Sequence, residues 1–277
     1  MTFATVMACL RVDRANANLL GVVGDVARRF GARVIGVAAR QAMGHPVHLR
    51  PSGPLEPIEH DKRKFKDLAA HAESEFRAAL GDIRRLEWRE IFTAGPVHEH
   101  LAEQARSADL VVLEIDGDGG LLYRSGQAAV GDLLMRLGRP VLAAPPHACG
   151  LLLNEALVCW KDTREARRAV LDALPALKAS KRVTAIEIVE AADELDRARR
   201  GLADLSDWLA VHQVTATAMA EIKNGAEAEH LAAIAKDLQT DLVVAGAFGH
   251  SRLREWAFGS VTRDFLLRAH CCVLASH

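Results

Sequence analysis

The sequence is poor in several features that mark particular classes of protein. Its five cysteines are odd in number and follow no regular spacing, which excludes a small disulfide-stapled fold and predicts a reduced, cytoplasmic setting. No apolar run reaches the ~20 residues that a membrane span requires, so we expect no membrane partner. The opening residues lack the basic segment and apolar core of a signal peptide, and they predict a first strand instead.

An excess of charge of one sign is also lacking. The chain of 277 residues carries 35 lysines and arginines against 36 aspartates and glutamates, a net charge of −1, and no long basic run. Proteins that bind nucleic acid cluster their positive charge, so we expect no nucleic-acid partner. Half of the residues are hydrophobic, and a chain of this length has room for one large domain or two ordinary ones.

An internal repeat divides the chain in two. Residues 109–143 align without a gap on residues 241–275, and 12 of the 35 aligned pairs are identical. The match keeps its register through a predicted strand, a loop, a helix and a second strand, which chance rarely achieves. The sequence therefore predicts two copies of one unit, a first domain at 1–147 and a second at 148–277.

Each copy alternates short apolar strands with amphipathic helices. This alternation predicts an α/β fold in which each domain has a five-stranded parallel sheet flanked by helices. Ligands of such sheets bind beyond the carboxyl ends of the strands, where the strand order reverses. The predicted strands are 4–10, 33–39, 87–92, 110–114, 140–143, 155–160, 182–189, 213–219, 241–245 and 272–275. The predicted helices are 16–30, 59–79, 97–107, 127–138, 163–177, 193–211, 225–239 and 260–270.

A glycine-punctuated loop in the second half carries the clearest chemical signal. The apolar strand runs into Gly246 and Gly249, and nine residues later Gly259 and Ser260 open a predicted helix. In this arrangement backbone N–H groups can bind a phosphate, because glycine lets the backbone approach an anion closely. The serine hydroxyl can cap the helix or donate to a phosphate oxygen. Ordinary turn glycines would give the same spacing without a ligand, so the spacing alone leaves both interpretations open.

The pattern G-x2-G-x9-G-S after this strand resembles the nucleotide-binding signature of the universal stress protein family. Residues 157–166 are similar to the family's first strand and helix opening, and residues 273–277 to its closing strand. The resemblance implies two flavodoxin-like (adenine nucleotide alpha hydrolase-like) domains that pair within the chain through their last strands. It also implies ATP, AMP or ADP as ligand, with Mg²⁺ as an accompanying ion. The residues that it places at the nucleotide are Lys161, Asp162, Ile188, Ala245, Gly246, Phe248, Gly249, Gly259, Ser260 and Val261.

Lys161 departs from the family pattern, which often has an acidic residue at the end of this first strand, next to the adenosine. A lysine cannot accept a hydrogen bond from an adenine amine or a ribose hydroxyl. Either Asp162 takes that role, or Lys161 contacts the phosphates, or base selectivity is relaxed. A solvated loop lysine is a further interpretation.

The first half has lost the signature. Glu114, Gln127 and Ala128 stand where the second half has two glycines and a serine, and only Gly117 is kept. A carboxylate repels phosphate and a side chain fills a needed gap, so we interpret this half as degenerate for nucleotide binding. The acidic run 114–120 lacks EF-hand spacing and predicts an acidic turn rather than a cation site.

Other motifs point neither to catalytic residues nor to a metal site. The chain has no P-loop motif, and no G-x-G-x-x-G follows a strand. His45, His48 and His60 flank a proline-rich segment, where surface histidines are favoured over a zinc site. Glu165 is predicted to be a solvated helix residue.

Together these observations predict a nucleotide-dependent regulatory protein with an unidentified protein partner. Any ATP hydrolysis is expected to be slow, because no residue is evidently placed as a base. Two alternatives stay open: an ATPase or nucleotidyl transferase that uses the same site, and a scaffold that binds a ligand other than nucleotide. A homodimer through other faces of the chain also stays open.

Overall fold

A computed structural model describes residues 2–42, 56–115, 130–247 and 270–277. Within these residues ten strands form one sheet. The strands are β1 Thr5–Leu10, β2 Arg33–Gln41, β3 Leu86–Thr93, β4 Leu110–Glu114, β5 Val141–Ala144, β6 Glu155–Cys159, β7 Arg182–Val189, β8 Ala216–Ile222, β9 Leu242–Gly246 and β10 Cys272–Ser276. The helices are α1 Ala17–Phe30, α2 Glu56–Ala79, α3 Val97–Ala105, α4 Val130–Leu137, α5 Arg164–Ala179, α6 Leu195–Val211 and α7 Glu227–Asp237, with a short 3-10 helix Ala192–Glu194 before α6.

The sheet consists of two halves with the same internal order. The full order is β3-β2-β1-β4-β5-β10-β9-β6-β7-β8, and neighbouring strands are parallel within each half. The halves meet where β5 and β10 run antiparallel, with Leu274 opposite Leu142. This is the pairing of last strands that the resemblance implies. The predicted α/β class, a largely parallel sheet flanked by helices, is confirmed.

Two apolar layers cover the two faces of the sheet. One layer contains buried side chains of α1, α2, α5 and α6, and the other contains those of α3, α4 and α7. Both layers continue across the β5–β10 seam, where Leu142 and Leu274 are each 1% exposed. The seam is therefore part of the core, and the strands there are apolar on both faces, as expected of buried strands.

One predicted strand is displaced in the structure. Residues 213–219 were expected to form a strand, but β8 starts at Ala216, because the chain first turns back at the end of α6. Gln213 has a left-handed φ of 65° and its N–H donates to the Ala210 carbonyl, while the Val214 N–H donates to the Leu209 carbonyl. Glycine usually occupies this left-handed position after a helix. A glutamine there gives no signal in the sequence.

Residues 260–269 of the predicted helix and most of the proline-rich segment lie outside the described residues. No helix within the described ranges is long and apolar enough to cross a membrane. All five cysteines are free thiols.

Candidate functional site

The strand order of the second half reverses between β6 and β9. From β6 the chain adds β7 and β8 on one side, whereas β9 and β10 lie on the other. The carboxyl ends of the two strands are adjacent, with Cys159 opposite Ala245. A switch point of this kind leaves a crevice outside the strand ends, which is where open α/β sheets bind ligands. Ala245 and Gly246 therefore lie at the edge that the sequence predicted.

Gly246 brings the end of β9 against the start of α5. A Cβ built on this glycine would lie 2.5 Å from the backbone nitrogen of Ala166 and 2.7 Å from the carbonyl carbon of Glu165. These are backbone atoms, so no side chain fits without movement of the helix or the strand. The Thr163 hydroxyl caps α5 by accepting a hydrogen bond from the Ala166 N–H at 3.2 Å. The glycine therefore places the N-terminus of a capped helix, with its outward N–H groups, beside the switch point.

The same close approach corrects the prediction for Glu165. Its side chain was expected to be solvated, but the residue is only 9% exposed. Arg164 Nε donates to its carboxylate at 3.2 Å. The prediction was wrong because β9 covers this turn of α5, and only the tertiary contact at Gly246 reveals that cover.

Lys161 and Asp162 are exposed in the loop that follows β6. Arg167 donates twice to Asp162 Oδ1, from Nε at 3.0 Å and from Nη2 at 2.5 Å. Ile188, at the end of β7, is buried on the sheet face that α7 covers, together with Ala247. The remaining candidates all lie outside the described residues, namely Phe248, Gly249, Gly259, Ser260 and Val261.

The corresponding edge of the first half is occupied by its own charged side chains. Glu114, which aligns with Gly246, is 8% exposed and pairs with Arg14 at 2.5 Å. Arg11 pairs with Asp13 at 2.7 Å, and this hydrogen-bonded contact lowers the pKa of the Asp13 carboxyl. The Arg11 N–H donates to the side chain of Asn16, the residue before α1.

A longer loop makes room for these charges. Five residues, 11–15, separate β1 from Asn16, whereas three residues, 160–162, separate β6 from Thr163. The first half therefore tolerates a glutamate where the second half requires a glycine. Gly117, Gln127 and Ala128 lie outside the described residues, as does the acidic run after Ile115.

Two residues near the site were not singled out from the sequence. Glu187, in β7, is 4% exposed, and its closest described cation is Arg197 at 3.7 Å. Burial raises the pKa of the Glu187 carboxyl, against the lowering effect of Arg197 and Lys161. Trp160 directly follows β6, and its indole nitrogen is buried without a hydrogen-bond partner among the described residues. The sequence does contain a signal for Glu187, which is the single glutamate within the mostly apolar segment 182–189.

Glu187→Gln is expected to stabilise the protein at neutral pH. Because burial raises the pKa of Glu187, the folded chain binds this proton more tightly than the unfolded chain does. The contribution of Glu187 to stability therefore falls as the pH rises from the ordinary pKa of a glutamate through the raised value. The gain from the substitution should be largest above that window and should vanish below it. Urea unfolding of both proteins across this pH range measures the difference, and a gain that does not change with pH would contradict the assignment.

No group of three or more histidine, cysteine, aspartate or glutamate side chains in the described ranges is arranged to hold a metal ion. His60 is exposed on α2, and its two predicted companions, His45 and His48, fall outside those ranges.

The comparison with known families decides the class of the second half. The model of the Universal stress protein family matches residues 152–277. Residues 152–277 are a universal stress protein family domain. The match contains the switch point, Gly246 and the glycine loop. No curated protein matches the chain.

Solved structures extend the likeness in fold to the whole chain. A universal stress protein from Archaeoglobus fulgidus DSM 4304 aligns over 98% of this chain and 95% of its own, with a TM-score of 0.72 and 13% identity. A protein of unknown function from Pseudomonas aeruginosa PAO1 aligns over 99% of this chain and 92% of its own, with a TM-score of 0.63 and 14% identity. Both halves of the chain therefore share the fold of a universal stress protein structure of similar length.

Proposed function

We propose that the second half binds an adenine nucleotide at the carboxyl ends of β6 and β9, and that the chain acts as a nucleotide-dependent regulatory protein. The observation that carries the proposal is the switch point inside a universal stress protein family domain. There Gly246 places the start of α5 against the strand from which the glycine loop departs. ATP, ADP and AMP share the adenosine and phosphate groups that such an edge would contact.

The proposed contacts divide between the two ends of the nucleotide. Backbone N–H groups at Gly249 and Gly259, with the Ser260 hydroxyl, would hold the phosphates and an accompanying Mg²⁺. Ala245, Phe248 and Ile188 would flank the base and ribose. Asp162 already accepts two hydrogen bonds from Arg167 through one oxygen. The second carboxylate oxygen of Asp162 and the ammonium group of Lys161, on the same loop, would contact the ribose or the phosphates.

Regulation would follow from the loop itself. Nucleotide occupancy would order the loop 246–260 and so change the surface that a protein partner contacts. In this proposal the chain consists of a nucleotide-binding domain at 148–277 and a domain at 1–147 whose equivalent edge is closed by the Arg14–Glu114 pair. The free thiols agree with a reducing cytoplasm as the setting.

Calorimetric titration of the full chain with ATP is expected to saturate near one nucleotide per polypeptide. Gly259→Gln copies the residue of the first half and should abolish the binding heat, because a side chain replaces the point of close approach. Gln127→Gly, the reciprocal change in the first half, is the matched control and should leave both affinity and stoichiometry unchanged. Titrations with and without Mg²⁺ separate the contribution of the ion.

Three results would overturn parts of this proposal. Unchanged affinity in Gly259→Gln would reject the assignment of the loop. A stoichiometry near two would show that the first half also binds nucleotide. No binding heat for ATP, ADP or AMP, together with no nucleotide released from the heated protein, would favour a scaffold with another ligand.

A further inference from the structure

A cavity of about 420 Å³ lies between α5 and α6, beside the end of β6. Its walls are mostly apolar, and two indole rings belong to them. The residues that line it are Trp160, Asp162, Arg167, Val170, Leu171, Gly201, Asp204, Leu205 and Trp208. Cavities of roughly 300–1,000 Å³ with apolar walls and a few polar groups are typical of small-molecule sites.

The cavity adjoins the proposed nucleotide site at the carboxyl ends of β6 and β9, and Asp162 belongs to both. Trp160 packs with the apolar layer of α5 and α6, whereas Ile188 and Ala247 belong to the layer on the opposite face of the sheet. The two sites share only the loop 160–162. The ligand proposed below would contact Trp160 and Glu187, neither of which is a proposed nucleotide contact, so its binding can be measured without nucleotide.

One wall of the cavity carries a hydrogen-bond donor that lacks an acceptor. Trp160 Nε1 is buried, and no residue in the described part of the chain accepts its proton. An unsatisfied buried donor costs stability, so such groups are rare in folded proteins and call for a partner. A ligand atom that accepts a hydrogen bond would satisfy this one.

An acidic group and the indole nitrogen both lie near Gly201. A Cβ built on Gly201 would lie 3.8 Å from Trp160 Nε1 and 3.9 Å from Glu187 Oε2, so the donor and the carboxylate oxygen flank the same point. Asp162 and Asp204 supply the carboxylates of the lining itself. The Arg167 guanidinium is engaged by Asp162. A ligand near Gly201 would thus meet one neutral donor, the indole N–H of Trp160, and the carboxylate of Glu187 as an acceptor.

Gly201 keeps this part of the cavity open. It lies inside α6, where glycine is less favourable than alanine by about 1 kcal/mol. Its φ is not in the left-handed region, and a Cβ there would meet its neighbours only at ordinary van der Waals distances. Neither backbone conformation nor packing therefore requires glycine at this position. A bound ligand would require it, because a methyl group would project between Trp160 and Glu187.

We propose that this cavity is a binding site for a small, flat heteroaromatic amine. Val170, Leu171 and Leu205 with the two tryptophans form walls suited to a ring. A ring nitrogen would accept the proton of Trp160 Nε1, and the neighbouring exocyclic amine would donate to Glu187. The ring nitrogen and the amine of such a ligand thus complement the indole N–H of Trp160 and the carboxylate of Glu187.

The test uses the full ¹⁵N-labelled chain and 2-aminoquinazoline, which carries ring acceptors beside an amine and is uncharged near neutral pH. The chain has four tryptophans, and the indole N–H signal that disappears in Trp160→Phe belongs to Trp160. We expect this signal to move on titration, while the signal of Trp88, far from the cavity, stays in place. Trp160→Phe keeps an aromatic ring and should weaken binding by about 2–12-fold, the range for one neutral hydrogen bond. Quinazoline lacks the amine and should bind more weakly than the probe.

Gly201→Ala separates a ligand site from a structural void. It should raise the melting temperature by about 2–4 °C and weaken probe binding at least about tenfold, by filling the contact point. Asp207→Ala, on an exposed position of the same helix, is the matched control: it should also raise the melting temperature but leave binding unchanged. An unmoved Trp160 signal at millimolar probe, or equal affinity in Gly201→Ala, would overturn the site. Equal affinity for quinazoline would overturn the proposed ligand class.

Discussion

Leu274→Ala is expected to lower the free energy of unfolding of the full chain by about 2–5 kcal/mol, the usual cost of emptying a leucine site in a core. The same loss is expected for Leu142→Ala. Both side chains are almost fully buried, and they face each other across the antiparallel seam between β5 and β10. Each substitution removes part of the surface that the other leucine packs against. The double variant should therefore lose less free energy of unfolding than the two single variants together, by about 0.5–3 kcal/mol.

Urea unfolding of the two single variants and the double variant measures this coupling. Leu101 provides the control, because it is buried in the layer on the opposite face of the sheet from Leu274. Leu101→Ala combined with Leu274→Ala should give additive losses. Additive losses for the seam pair as well would mean that these two leucines do not pack together, and the continuous ten-stranded sheet would lose its support.

Gly246→Ala is expected to destabilise the protein by about 1–3 kcal/mol, the cost of forcing an added methyl group into a packed site. The new Cβ would meet backbone atoms of Glu165 and Ala166, which cannot rotate away as the end of a side chain can. Since relief requires a shift of β9 or of the first turn of α5, nucleotide binding should weaken together with stability.

The chain contains its own control for this substitution. Gly201→Ala makes the same chemical change where a Cβ meets nothing closer than 3.8 Å, so it should raise stability. Thermal unfolding of the two variants should give shifts of opposite sign. If Gly246→Ala were neutral or stabilising, β9 would not approach α5 as closely as described. The position of the N-terminus of α5 beside the switch point would then also be wrong.

The order of strands and helices could be predicted because period and composition act locally. Both ends of β4, Leu110–Glu114, were predicted correctly, since four apolar residues are followed there by a glutamate. The predicted helix 16–30 ends where α1 does, and Gly31 follows it with a left-handed φ of 64°. Gln213 adopts the same conformation without glycine, and the start of β8 was therefore misplaced.

The missed features of the site have one physical cause, which is contact between distant parts of the chain. Glu165 is buried by Gly246 of β9, which lies 81 positions further along the chain, so its helix pattern alone indicated solvent. Trp160 and Glu187 become neighbours only when β6 and β7 pair under α6. The glycine spacing was visible because a loop motif is local, and the residues of that loop beyond Ala247 remain a prediction from sequence.

The antiparallel seam has a consequence for what the molecule can connect. Strands within each half are parallel, and β5 opposes β10, so the carboxyl ends of the two halves lie at opposite margins of the sheet. The margins are separated by at least a strand length, about 15–20 Å. The proposed nucleotide edge and the edge closed by Arg14 and Glu114 therefore face away from each other. If nucleotide binds as proposed, a partner that contacts the nucleotide edge would not cover the edge closed by Arg14 and Glu114, so the two edges could bind different partners.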